Sequence, residues 1–100
     1  MKVNAQGYTQ AKGRKFTVST SAQAVELGLA AQVISVFNPG TATIWTRLDG
    51  EAATTAHPAI PIPPCMTITL PVMTEDTISF IGEAEVAGVA VVAMGNALPE

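Results

Sequence analysis

The stretch that decides the fold is Gln32-Val33-Ile34-Ser35-Val36-Phe37-Asn38-Pro39-Gly40. Its first six residues are mostly apolar and rich in branched side chains, which suit the pleated surface of a strand. The last three form a strong turn. Pro39 sets φ at the first central position, and Gly40 is expected to take a positive φ at the second. Thr43–Leu48 then reads as a return strand, so a hairpin is expected, with the next turn at Asp49-Gly50.

The same alternation of strand and turn extends both ways. Upstream, Phe16 and Val18 alternate with Lys15, Thr17 and Ser19, giving a first strand over residues 14–19. Residues 20–31 admit two readings. Thr20 or Ser21 could cap a short helix ended by Gly28, or residues 24–27 could be a short strand followed by a turn at Gly28. The surrounding β character favours the strand. Downstream, residues 51–64 carry Pro58, Pro61, Pro63 and Pro64. Proline cannot donate to a ladder, so this passage is a loop or an edge-like extended segment.

Met66, Ile68 and Leu70 alternate with Thr67 and Thr69, a strand expected to close at Pro71. Thr74-Glu75-Asp76 reads as a turn, residues 77–81 as a strand, and residues 82–85 as a turn. The last strand runs from Val86 to Met94. It is apolar on both faces, so a central place with both sides covered is expected. Six to seven short antiparallel strands at this spacing predict a single all-β domain, a small β-sandwich. The division is an extended N-terminal arm over residues 1–13 and the sandwich over residues 14–100.

Composition agrees with this. Of the 100 residues, 48% are hydrophobic but only 5% aromatic, so the apolar content is small or branched. Charged residues make up 13%, about half the usual share, which implies that some low-charge surface is covered by a partner or by further copies. Charge is also unevenly placed. Lys2, Lys12, Arg14 and Lys15 lie in the first 15 residues, whereas the rest holds Arg47 alone against all eight acids. A basic arm on an acidic body can dock on an acidic surface. Four cations give only weak, salt-sensitive attraction to phosphates, so nucleic acid is not an expected partner.

Catalytic and metal chemistry find little to work with. The chain has one histidine, His57, and one cysteine, Cys65. His57 sits between Ala56 and Pro58 without a candidate orienting group, so no nucleophilic triad can be drawn. A lone thiol excludes an internal disulfide and a zinc site. The acids at Glu75-Asp76 and at Glu83 and Glu85 fall in expected turns, where solvent keeps carboxylates ordinary, and a calcium loop's spacing is missing around Asp76. Single glycines at turns make no phosphate loop. No enzyme activity, cofactor, metal or small-molecule substrate is expected.

The start lacks an apolar leader, and the run from Val86 to Met94 is too short to span a bilayer, so no membrane partner is expected. The candidate functional residues are those of a protein interface: Lys2, Tyr8, Lys12, Arg14 and Lys15 from the N-terminal region, and Trp45 with Arg47 from one face of their strand. Alternation puts Ile44 and Leu48 on the opposite face. Tryptophan and arginine are the types most enriched at interface hot spots. Trp45 can instead lie at the edge of the core, and an exposed tryptophan can also stack on a sugar, which keeps a carbohydrate-binding module as a lesser alternative.

Residues 33–40 followed by Ile44-Trp45-Thr46-Arg47-Leu48-Asp49-Gly50, then Ala52-Ala53-Thr54, Ile60-Pro61-Ile62-Pro63-Pro64, residues 78–82 and residues 86–95, together resemble small virion proteins of tailed bacteriophages of the capsid decoration (cement) type. The likeness is a pattern of strands and turns over residues 14–96. It implies a jelly-roll-like β-sandwich that binds the outer capsid surface, bridges neighbouring capsid subunits and so stabilises the shell. It further implies the major capsid protein as partner, a homo-oligomer with a trimer favoured, synthesis in the host cytoplasm and a final location on the virion. Related small proteins serve as head-fibre bases or tail components, the nearest alternative.

Overall fold

The structure, a computed structural model, describes residues 10–96 and, for residues 73–75, the backbone alone. As the alternation predicts, the described residues are all-β, and every pairing is antiparallel. The strands are β1 (Gln10–Val18), β2 (Gln23–Phe37), β3 (Ile44–Arg47), β4 (Ile60–Ile62), β5 (Thr67–Gly82) and β6 (Val86–Asn96). All six belong to one sheet in the order β1-β6-β2-β5-β3-β4.

That sheet is curled. β1 and β5 are separated by β6 and β2, which in a flat sheet would hold them about 14 Å apart. Yet Phe16 of β1 meets Phe80 of β5 with ring centroids 5.1 Å apart, and the Gly82 N–H donates to the Ser19 carbonyl at 2.8 Å. The curl wraps a concave face around Val18, Leu29, Ile34, Val36, Ile44, Ile62, Ile78, Phe80, Val89 and Val91, all buried. The sheet does not close. Where β1 turns into β2, the Gln23 side chain does the bridging. Its amide donates to the Thr17 carbonyl at 3.0 Å, and its oxygen accepts from the Ser19 N–H at 3.1 Å.

β2 and β5 are long and shared by two zones. In the upper zone, residues 33–37 of β2 lie between β6 and residues 67–71 of β5. In the lower zone, residues 23–26 of β2 pair with residues 77–80 of β5, and β3 and β4 complete the sheet beyond β5. Irregularities set which side chains face the core. Ala31 pairs with Gly95 and Val33 with Met94, so Gln32 is an extra residue in β2 relative to β6. Such a bulge reverses the alternation. Val25, Leu27, Leu29 and Ala31 are buried before it, and Ile34 and Val36 after it. In β6, Gly88 (φ 75°) lies where three steps from Val86 to Val89 match two steps of β1, a glycine-centred bulge.

Several sequence expectations need correction. Residues 24–27 are in a strand, the favoured reading, and no helix forms over residues 20–31, but the chain does not turn at Gly28. Gly28 has φ 77° but lies inside β2. The expected hairpin is absent: residues 32–37 pair with β5 and β6, whereas β3 pairs with β4 and β5. Asn38 explains why. Fully buried, its side chain donates to the carbonyls of Ala42 and Ile62 at 2.9 Å each and accepts from the Gly40 N–H at 3.0 Å. Its backbone N–H donates to the Met66 carbonyl, and its carbonyl accepts from the Cys65 N–H. These bonds tie the turn to the approach to β5 and carry the chain across to the lower zone.

Gly40 is not among the positive-φ glycines, which among the described residues are Gly28, Gly50 and Gly88. Glycine is needed at position 40 because a Cβ there would lie 2.6 Å from Val86 Cγ1. β5 neither ends at Pro71 nor turns at residues 74–76, but runs on to Gly82. Pro71 is tolerated because only the β2 side of β5 is paired at that height, leaving a local edge where the missing N–H costs no ladder bond. Residues 10–13, assigned to the arm, belong to β1 and pair with residues 92–95. Residues 1–9 lie outside the described residues. β4, in contrast, is the edge strand that its proline content predicts.

Candidate interaction surfaces

The two groups of candidate residues lie in different zones. Trp45 and Arg47 project from β3 on the side opposite the buried Ile44 and Thr46, as alternation predicts. Leu48 is partly buried against the core. Thr46 is inside because its hydroxyl donates to the Ser79 carbonyl at 3.0 Å, satisfying a polar group that would otherwise be orphaned. The cross-strand partners of Trp45 are Pro61 and Ile81. The ring is only partly exposed, and its Nε1–H is buried without a hydrogen-bond partner among the described residues.

Arg47 Nε donates to both oxygens of Asp49, at 2.8 and 3.0 Å. This bond holds the Asp49 carboxyl below the usual carboxylate range and raises the guanidinium's own pKa. Asp49 also accepts from the Glu51 N–H, and Gly50 has φ 82°, so the expected Asp49-Gly50 turn forms. The Ala53 N–H donates to the buried Ser79 hydroxyl at 2.9 Å, fastening the loop after β3 back onto β5.

Lys12, Arg14 and Lys15 are exposed on β1, at the sheet edge in the upper zone. Lys12 and Arg14 share the face of Phe16, at the rim of the concave side, while Lys15 points to the convex side. The Lys12 stem lies against Gly28, where a Cβ would sit 3.3 Å from Lys12 Cδ. Among the described residues none of these three cations makes an ion pair; the one present is Arg47–Asp49. Lys2 and Tyr8 lie outside the described residues.

His57 and Cys65 are both exposed, in the loops before β4 and β5. No group of three or more His, Cys, Asp or Glu side chains suited to a metal occurs among the described residues. Several shallow depressions open on the surface, among them one of about 180 Å³ lined by Glu26, Gly28, Asp76 and Thr77. A larger one of about 290 Å³ is lined by Ala22, Gln23, Ala24, Gly50, Glu51, Ala52 and Ser79. Another of about 270 Å³ lies over Gly13, Arg14, Lys15, Ala90, Val91 and Val92. Neither of these two gathers converging acid and base groups of the kind that proton transfer uses.

The depression over Gly13 belongs to a larger feature that sequence reasoning missed. The convex face of β1, β6, β2 and β5 forms three rows of paired residues. They are Lys15-Ala90-Phe37-Thr67, Gly13-Val92-Ser35-Thr69 and Ala11-Met94-Val33-Pro71. Lys15 is its single charge. Phe37 is 40% exposed and Val92 47%. The signal lies in the doubly apolar run of β6, which predicts cover on both sides; only the side of Val89, Val91 and Ala93 is buried.

Comparison with protein-family models, with curated proteins and with solved structures finds no match.

Proposed function

We propose that the chain is a capsid decoration protein, attaching to the outer surface of an assembled phage shell and stabilising it by bridging neighbouring subunits. The observation that carries this reading is the cationic sheet edge. Lys12, Arg14 and Lys15 stand exposed along β1 without an ion pair among the described residues, on a body otherwise dominated by acids. Such an edge suits an acidic protein surface. The resemblance over residues 14–96 names that surface as the major capsid protein. Many identical weak contacts on one lattice become strong together, because each later contact forms at high effective concentration.

The test is co-sedimentation of the full chain with undecorated shells. Binding is expected at low salt and should weaken as salt rises, because exposed charges are screened beyond about 10 Å at 0.1 M. Replacing Lys12, Arg14 and Lys15 together by Gln should lower occupancy at least about tenfold, the change expected when about 1.4 kcal/mol of attraction is lost. Absence of co-sedimentation at any salt concentration, or binding indifferent to the triple substitution, rejects this reading. Gold labelling that marks only the tail would favour a tail component.

A further inference from the structure

We infer that the open edge of β1 is a receptor for an extended acidic strand of the partner, which joins the sheet through backbone hydrogen bonds. The inference rests on the reading of this edge as the docking site and names the form of the contact. β1 ends the sheet, with β6 on one side and no described strand on the other. Thr17 shows where the free groups point: its carbonyl turns away from β6 and accepts from the Gln23 side-chain amide at 3.0 Å. Backbone groups reverse direction at each residue of a strand, so Ala11, Gly13 and Lys15 likewise turn their N–H and C=O outward. Residues 11–15 are all exposed. A row of unpaired backbone groups is a template for another strand. Elsewhere the sheet blunts its edges with proline, Pro61 in β4 and Pro71 where β5 lacks a second neighbour. β1 has no proline.

What guards β1 is charge, and charge selects the occupant. Lys12, Arg14 and Lys15 make no ion pair among the described residues. A second β1 laid antiparallel about Gly13 would set Lys12 opposite Arg14, and like charges directly opposite destabilise a pair. The open edge of β5, residues 67–71, brings no acid. An acidic strand meets no such repulsion. In antiparallel register its residues opposite Lys15, Arg14 and Lys12 lie about 5 Å away, Cβ to Cβ, each on the face of its cation, so acids there form cross-strand pairs. The residue opposite Gly13 finds no side chain across from it. It faces instead the depression of about 270 Å³ over Gly13, Ala90 and Val92. A large apolar side chain covers a glycine in this way across paired strands. The recognised pattern, read along the partner, is acid-acid-apolar-acid. Main-chain bonds give the affinity and these side chains the specificity.

The probe is the octapeptide Thr-Val-Glu-Glu-Phe-Glu-Val-Thr, blocked at both ends and fluorescently labelled, titrated with the full chain and followed by anisotropy. In antiparallel register its glutamates oppose Lys15, Arg14 and Lys12. Saturable binding is expected below about 500 µM protein and should weaken as salt rises. A second peptide of the same sequence carries N-methyl groups on the amides opposite Ala11, Gly13 and Lys15. It keeps every charge but cannot pair with the edge, so its affinity should fall at least about tenfold. Gly13→Pro makes the same cut on the protein. A side chain there meets only ordinary contacts, 3.8 Å from the Val91 carbonyl oxygen, and the lost N–H serves no bond to β6. The thermal midpoint should hold while affinity for the unmethylated peptide falls at least about tenfold. Should that variant unfold, the methylated peptide makes the test on the native chain. Failure of the unmethylated peptide to bind overturns the inference, as does equal binding of both peptides or a folded Gly13→Pro that binds as tightly. Co-sedimentation with undecorated shells that is unchanged by Gly13→Pro would also overturn it, leaving the shell reading in place. Peptide binding without co-sedimentation would reject the shell and keep the strand receptor.

Discussion

Truncating Asn38 to alanine should be among the most damaging single substitutions in this chain that leave the hydrophobic core unaltered. Three hydrogen bonds are lost, and the groups left behind differ in access to water. The bond to the Ile62 carbonyl is buried, while those to the Ala42 carbonyl and from the Gly40 N–H are part-buried. An orphaned buried carbonyl costs about 1–3 kcal/mol, and a part-buried bond that water can replace costs about 0.5–1.5 kcal/mol. Together the loss is about 3–4 kcal/mol. Domains of this size have only about 5–15 kcal/mol in total. The thermal midpoint should fall by about 12–30 °C, at about 4–8 °C per kcal/mol.

Urea unfolding followed by Trp45 fluorescence measures the change. The midpoint should move with an unchanged slope, because the surface exposed on unfolding is nearly the same. Asn38→Asp sharpens the reasoning. It keeps the acceptor for Gly40 but turns a carboxylate toward two carbonyl oxygens. Burial raises this carboxyl's folded pKa above its unfolded value, so the folded state binds the proton more tightly. Stability of that variant should therefore rise as pH falls toward the unfolded pKa and be lost as pH rises through the folded one. A loss below about 1 kcal/mol for Asn38→Ala, within the range of one ordinary hydrogen bond, would falsify the keystone role.

Two further outcomes follow from particular contacts. Gly40→Ala should cost about 1–3 kcal/mol through crowding of Val86, measurable as a lower urea midpoint; a neutral result would mean that β6 yields freely at that point. Trp45→Phe should cost less than about 1 kcal/mol or stabilise the protein, because it removes a buried N–H that has no partner among the described residues. A loss of several kcal/mol, read by the thermal midpoint, would show that this N–H is bonded in solution.

Local chemistry was legible wherever a residue acts on its neighbours in sequence. Alternation at Phe16 and Val18, at residues 44–47 and from Ile68 to Leu70 marked strands. Pro61 marked an edge, and Asp49-Gly50 marked a turn. Some misreadings were recoverable. Ile68, Leu70, Val72, Ile78 and Phe80 share one parity, the mark of a single unbroken strand, whereas Pro71 and Thr74-Glu75-Asp76 locally signal a break. At Gly40 the local sequence favours a turn conformation, as a glycine after proline does. Its actual constraint comes from Val86, far away in sequence, and nothing local reveals it.

By itself, then, the sequence of residues 32–40 determined a strand running into a turn, and the chain around it determined an all-β, antiparallel domain. These follow from side-chain alternation and backbone preference, which are short-range. Only the tertiary structure decided that this strand runs on from β2 into no hairpin, that Gln32 and Gly88 reverse the alternation, and that the sheet curls. Partner choice among strands depends on contacts between distant segments, and a one-residue bulge exchanges the faces of everything beyond it. For that reason the apolar runs of β2 and β6 announced strands without revealing that Phe37 and Val92 would face outward.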